Sequence, residues 1–123
     1  MGSTNFFDGK RLKQFITNGS MASDYTSDPI EVLPLDRIGV ECFWTGTPTG
    51  ILYIQSTIAG TNYDVLPSLP TVTSVSIVDG FVGTKAFQQF DLDVKAFSRI
   101  RVFYDATSGS GTMNGYYIAK GTF

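Results

Sequence analysis

Apolar and polar residues alternate with a period of two along most of the chain. In the first clear run, the apolar positions are Ile38, Val40, Cys42 and Trp44. Runs with the same alternation cover 51–56, 100–104 and 113–119. A period of two is typical of strands with one face turned toward a core. The pattern therefore predicts β-strands whose apolar positions are buried.

Short segments rich in Gly, Pro, Asn and Asp separate these runs. Turns recur about every 8–12 residues, the spacing of a β-sandwich or barrel. The sequence predicts an all-β fold: an antiparallel β-sandwich of seven to eight strands with jelly-roll topology. The turn at 45–50 contains two Gly and one Pro. It predicts a hairpin between the two flanking runs.

The first part of the chain has a different pattern. Its apolar residues, which show no clean period, are Phe6, Phe7, Leu12, Phe15 and Ile16. Residues 18–28 are rich in Ser, Gly, Asp and Thr, which is typical of a loop. We predict an N-terminal arm and loop segment over 1–28 and a single sandwich domain over 29–123. On this prediction, removal of residues 1–20 leaves the sandwich folded.

Composition narrows the chemistry that the chain can perform. The 123 residues suffice for one domain, and 16% are charged, for a net charge of −2. Without a basic excess, nucleic acid is not an expected partner. No apolar stretch is long enough for a membrane helix, so a membrane is not expected either.

Residue counts also argue against catalysis. The chain has no His and one Cys, which excludes His-based triads and an intrachain disulfide. Only carboxylates remain as acid–base groups, and no pattern marks Asp91, Asp93 or another as one of a catalytic pair. No calcium-loop motif is present. We expect a protein that is not an enzyme, with no catalytic residues, no metal and no cofactor.

Several segments carry a resemblance to a known family. They are Gly39–Gly50 (GVECFWTGTPTG), Gly60–Tyr63 (GTNY), Ser98–Tyr104 (SRIRVFY) and Thr107–Asn114 (TSGSGTMN). As a set, over about 21–121, they resemble a family of small virion-associated structural proteins of bacteriophages. The resemblance implies a β-sandwich built into a virus particle, without catalysis. The resemblance does not give the position in the particle. We expect a minor capsid or capsid decoration protein assembled in the host cytoplasm, with a tail, spike or fibre component as the alternative.

Apolar residues also fall on the strand faces opposite the predicted core. Together with the apolar residues of the N-terminal segment, they are candidates for subunit contacts: Phe6, Phe7, Leu12, Phe15, Ile16, Phe43, Tyr53, Phe103 and Tyr116. So many outward aromatic positions suggest a second buried surface. We expect a homo-oligomer, a trimer or another ring, that contacts other virion proteins.

A carbohydrate-binding module that recognises a host surface glycan is the alternative function. Trp44, Asn62 and Tyr63 are its candidate residues, since rings stack on sugars and amides bond their hydroxyls. Trp44 has a structural reading as well, as the end of a buried strand face. Arg99 and Arg101 share one strand face. Solvation, or pairing with Asp91, Asp93 or Glu41 across the sheet, is the favoured reading, and contact with an acidic neighbouring subunit is the alternative.

Overall fold

The structure, a computed structural model, describes residues 12–33, 35–67 and 72–120. Ten β-strands occupy most of these residues. They are β1 (Leu12–Ser20), β2 (Tyr25–Thr26), β3 (Ile30–Glu31), β4 (Arg37–Gly46), β5 (Thr49–Thr57), β6 (Asp64–Val65), β7 (Ser74–Ile77), β8 (Phe87–Asp93), β9 (Arg99–Ser108) and β10 (Gly111–Lys120). Three of them are two-residue segments, which is why the strands outnumber the predicted seven or eight.

The strands form two antiparallel sheets. One has four strands in the order β1-β10-β4-β8. The other has six: β2-β9-β5-β6 in order, with β3 also on β9 and β7 also on β5. The predicted all-β antiparallel sandwich is confirmed. In the part of the chain that the structure describes, no helix is long and apolar enough to span a membrane.

The core lies between the sheets and follows the predicted alternation. The buried positions of β4 are Ile38, Val40, Cys42 and Trp44, and those of β9 are Ile100, Val102 and Tyr104. Burying a large apolar side chain of this kind contributes about 1.5–3 kcal/mol. The periodicity of the sequence thus identifies the inward faces of β4 and β9.

The predicted hairpin at 45–50 is wrong. β4 belongs to the four-stranded sheet and β5 to the six-stranded sheet, so the chain crosses between the sheets at this turn. The turn between β9 and β10 makes the same crossing in the opposite direction. Because β4 pairs with β10 and β5 with β9, the two crossings lie side by side.

The two crossings pack so closely that side chains are excluded between them. A Cβ on Gly109 (φ 75°) would lie 2.2 Å from the Thr47 carbonyl oxygen. A Cβ on Gly111 would lie 2.1 Å from the Thr45 carbonyl oxygen. The Thr47 N–H donates to the Ser110 carbonyl at 3.0 Å. The glycines of both segments, which carry the family resemblance, therefore have a structural role at this end of the sandwich.

The N-terminal segment does not form a separate arm over the residues that the structure describes. Leu12–Ser20 is β1, which pairs with β10 through two register shifts. Ile16 is 0% exposed, and Met21 is also in the core. Removal of residues 1–20 would take away β1 and the buried Ile16 side chain, so we expect this deletion to destabilise the sandwich. Residues 1–11 lie outside the described residues.

Candidate functional site

The outer face of the six-stranded sheet has an uncharged row across four strands. Thr26 pairs in register with Phe103, Phe103 with Tyr53, and Tyr53 with Ser74. The Phe103 and Tyr53 rings stack, with centroids 6.3 Å apart and planes 21° apart. Both rings are half-buried within the single chain. This row, Thr26-Phe103-Tyr53-Ser74, is called the aromatic row below.

Opposite charges flank the aromatic row on strand β9. Arg101 lies two residues before Phe103 and Asp105 two residues after it, on the same outward face. The Arg101 Nε–H donates to Gln55 Oε1 at 2.8 Å, and its guanidinium lies 3.8 Å from the centre of the Tyr63 ring. These contacts hold the cation in place beside the row. Asp105 is exposed.

The outer face of the four-stranded sheet holds a second aromatic pair and an open groove. The Phe43 and Tyr116 rings are nearly parallel, with centroids 6.0 Å apart and planes 7° apart. The groove beside them has a volume of about 710 Å³. It runs from Leu12 on β1 to Asp91 on β8 and so crosses all four strands. At a strand spacing of about 4.8 Å, that is a length of about 14 Å.

Polar side chains line one half of this groove. The Gln89 Nε2–H donates to Glu41 Oε1 at 2.9 Å. Arg37 donates to the Asp91 carboxylate, and this hydrogen bond raises the pKa of the guanidinium. Gly39 supplies part of the lining without a side chain. The groove thus has an aromatic half and a half rich in hydrogen-bonding groups.

The structure does not assemble the predicted glycan-binding residues. Trp44 is 3% exposed, and its Nε1–H donates to the Gly80 carbonyl at 2.7 Å, so its ring faces are not available to a sugar. Tyr63 lies against Arg101 at the six-stranded sheet. Asn62 is exposed in the loop beside Tyr63. The structural reading of Trp44 is the one that its contacts support.

The predicted interface residues fall into three groups. Phe43 and Tyr116 lie on one outer face, and Tyr53 and Phe103 on the other, as the alternation predicted. Ile16 is buried in the core, so it does not project toward a neighbour. Half-buried Phe15 packs edge-on against Tyr117, with ring centroids 5.8 Å apart. Leu12 is 49% exposed and lines the groove. Phe6 and Phe7 lie outside the described residues.

The expected partners of the two arginines are wrong in detail. Arg99 pairs with Glu31 on neighbouring β3, and Arg101 bonds Gln55. Asp91 and Asp93 lie on β8 in the other sheet. Arg37 pairs with Asp91, and Lys95, which follows β8, pairs with Asp93. Separate sheets keep these carboxylates away from β9.

The pKa shifts of Asp93 and Cys42 do not favour acid–base or nucleophilic chemistry at either group. The Lys95 backbone N–H donates to Asp93 and, as the largest cause, lowers the pKa of that carboxyl. An acid with a lowered pKa stays ionised, the opposite of what a general acid needs. Burial raises the pKa of the Cys42 thiol to about 12. Within the described ranges, no group of His, Cys, Asp and Glu is placed to hold a metal.

Sequence reasoning missed two features. It did not join Gly39, Gln89 and Tyr116 into one groove, because strand order brings β4, β8 and β10 together and the sequence does not state that order. It also missed the opposite charges that flank the Phe103 position. That signal is present in the sequence as Arg, Phe and Asp at positions 101, 103 and 105.

Comparison with known proteins gives likeness in structure rather than in sequence. No family model and no curated protein matches the sequence. The fold is similar to that of the SPBc2 prophage-derived protein YomS, with a TM-score of 0.62 and 10% identity over 89% of this chain and 93% of that chain. It is similar to a chain of infectious bursal disease virus, Gx strain, with a TM-score of 0.50 and 10% identity over 88% of this chain and 31% of that chain.

A weaker likeness is to tailspike protein 4 of bacteriophage CBA120, with a TM-score of 0.49 and 14% identity over 97% of this chain and 21% of that chain. At identities this low, the likeness to the prophage-derived and viral chains shows a shared fold alone. Solved structures of similar fold thus include a phage-derived protein and a viral one.

Proposed function

We propose that this protein is a non-enzymatic structural component of a bacteriophage particle. The sequence resemblance over about 21–121 supports it. So does the fold shared with the prophage-derived protein YomS, of which this chain covers 93%. The particle position that we favour is the capsid, as a minor capsid or decoration protein, with a tail, spike or fibre position as the alternative.

The protein acts by assembly, and its first partner is a second copy of itself through the aromatic row. The observation that carries this proposal is the charge pattern on β9. An interface with twofold symmetry uses the same patch on both copies, so the patch must be self-complementary. When two copies of β9 face each other in antiparallel sense across the row, Arg101 of each copy meets Asp105 of the other.

The twofold axis of this pairing runs along the aromatic row. The row itself carries no charge, so its rings can be desolvated against each other without stranding an ion. Phe103 and Tyr53 are side chains of the type that dominates interface energies. This charge pattern favours a twofold pairing as the first step, in place of the trimer or other ring expected from the sequence.

Charge reversal tests the self-association directly. We expect Arg101→Asp alone and Asp105→Arg alone to dissociate the pair, because each places like charges together at both ends of the row. The double variant restores opposite charges and should restore the dimer. Light scattering after size exclusion measures the mass, and far-UV circular dichroism confirms folding. Tyr116→Ala, on the other sheet, is the matched control.

Two results would overturn this assembly: a wild-type monomer at every concentration tested, or single reversals that leave the dimer intact. The particle role has its own test. Lysate of a phage that encodes the protein is fractionated on a density gradient and probed with an antibody. We expect the protein to sediment with intact particles, and recovery only in the soluble fractions would contradict a virion role.

A further inference from the structure

We propose that the groove on the four-stranded sheet is a binding site for a neutral oligosaccharide. This site is separate from the aromatic row and lies on the opposite side of the sandwich. It also differs from the loop site that Trp44, Asn62 and Tyr63 suggested, because Trp44 is buried. The groove residues that carry the inference are Phe43, Tyr116, Glu41 and Gln89.

The shape of the groove suits an extended ligand. It is open to solvent, about 710 Å³ in volume, and crosses four strands from Leu12 to Asp91. Its length of about 14 Å fits a short chain of linked rings better than a single small molecule. In the middle of the groove, a Cβ on Gly39 would come within 3.2 Å of Ile118 Cγ2, so the Ile118 side chain packs over this glycine.

The aromatic half of the groove offers apolar surface from two neighbouring rings. Phe43 is 37% exposed, and its ring is within 7° of parallel to that of Tyr116. The C–H faces of a pyranose ring pack well on such surfaces. Quaternary ammonium ligands are typically held in a cage of several aromatic rings, whereas this half of the groove presents two near-parallel rings. This geometry favours a ring-shaped ligand over a quaternary ammonium group.

The polar half supplies the hydrogen bonds that sugar hydroxyls need. The Gln89 amide holds Glu41 in position through one carboxylate oxygen, Oε1, which leaves Oε2 as an acceptor for a hydroxyl. The side-chain amide oxygen of Gln89, Oε1, is a second acceptor beside it. A carboxylate and an amide next to aromatic rings form the mixture of acceptors, donors and apolar surface that an uncharged, polyhydroxylated ligand requires.

Charge narrows the ligand class further. Asp91 is paired with Arg37, whereas Glu41 has no cation as a salt-bridge partner among the residues that the structure describes. The groove is therefore negative on balance and repels sulfated, sialylated or phosphorylated chains. The expected ligand is a neutral hexose or pentose oligomer.

The test is a titration of the full-length protein with defined probes. The neutral panel contains cello-, manno-, galacto- and xylo-tetraoses, and the comparison panel contains a sialylated lactose, a sulfated disaccharide and choline. Binding is followed by amide chemical shifts in the protein's NMR spectrum and by calorimetry. We expect at least one neutral tetraose to bind at millimolar concentration or below, with shifts confined to β4, β8 and β10.

Paired variants identify the groove as the site. Tyr116→Ala and Gln89→Ala should each weaken binding by about tenfold or more. Tyr53→Ala removes a half-buried tyrosine with a stacked phenylalanine partner from the other outer face, and it should leave binding unchanged. Circular dichroism of each variant separates loss of binding from loss of fold.

The inference is overturned by any of three results. One is that no neutral probe binds at millimolar concentration. Another is that only a charged probe or choline binds. The third is that a neutral probe binds equally well to wild type, Tyr116→Ala and Gln89→Ala, all of them folded.

Discussion

Trp44→Phe tests whether Trp44, in the Gly39–Gly50 segment that carries the family resemblance, stabilises the fold. The substitution keeps an aromatic ring but removes the Nε1–H that donates to the buried Gly80 carbonyl at 2.7 Å. An acceptor left unpaired in the core costs about 1–3 kcal/mol. The smaller ring also leaves unfilled space, at about 1 kcal/mol more. We expect the free energy of unfolding to fall by about 2–4 kcal/mol, a large fraction of a typical domain's 5–15 kcal/mol.

Urea denaturation followed by far-UV circular dichroism measures this loss. With a slope near 2 kcal/mol per molar urea, the midpoint should fall by about 1–2 M. In the wild type, the single tryptophan should emit at short wavelength and resist quenching by iodide, because Trp44 is 3% exposed. A midpoint change below about 0.3 M, or rapid quenching, would refute the reasoning and return Trp44 to the surface candidates.

Three further substitutions and one labelling experiment test other packed positions of the sandwich. Gly109→Ala should destabilise the fold by at least about 2 kcal/mol, because of its positive φ and the Thr47 oxygen 2.2 Å from the new Cβ. Gly83→Ala is the control: its φ is also positive, but nothing lies within 4 Å, so the cost should stay near 1 kcal/mol in the same urea assay. Tyr104→Phe should leave the free energy of unfolding unchanged or higher, because the Tyr104 hydroxyl is buried without a hydrogen-bond partner among the described residues. A loss above about 1 kcal/mol would show that this hydroxyl does form a hydrogen bond. The Cys42 thiol, with its pKa raised to about 12 by burial, should not react with a thiol reagent at neutral pH until urea unfolds the chain; labelling of the native protein would contradict its burial.

Alternation in the sequence predicts the faces of the long strands because a strand places successive side chains on opposite faces. Val40 and Val102 point inward and Phe43 and Phe103 outward, as their positions in the pattern require. The same reasoning works for each strand in isolation. It therefore identifies buried residues without identifying which strands are neighbours.

The connection between β4 and β5 shows where sequence reasoning fails. Two alternating runs joined by a short Gly- and Pro-containing turn fit a hairpin and a crossing between sheets equally well. What distinguishes them is the second crossing, whose Gly109 allows it to pack against Thr47. That contact joins residues about 60 positions apart, so no local pattern reveals it.

The N-terminal strand was missed for a different reason. β1 pairs with β10 through two register shifts, and Asn18 has a positive φ of 52°. These irregularities break the period of two, so Phe15 and Ile16 look like consecutive apolar residues of no clear face. Irregularities of this kind are common in edge strands, because they hinder the edge from pairing with a strand of another molecule.

Cross-linking at the aromatic row tests the central claim most directly. If the twofold axis runs along the row, Ser74 of one copy faces Ser74 of the other. Ser74→Cys should then give a covalent dimer with a short bis-maleimide whose reach matches the ~10 Å between packed sheets. The buried Cys42 should not compete, and Gln89→Cys on the opposite sheet should give no covalent dimer. The absence of a covalent dimer from Ser74→Cys, or equal cross-linking from Gln89→Cys, would contradict assembly through this face.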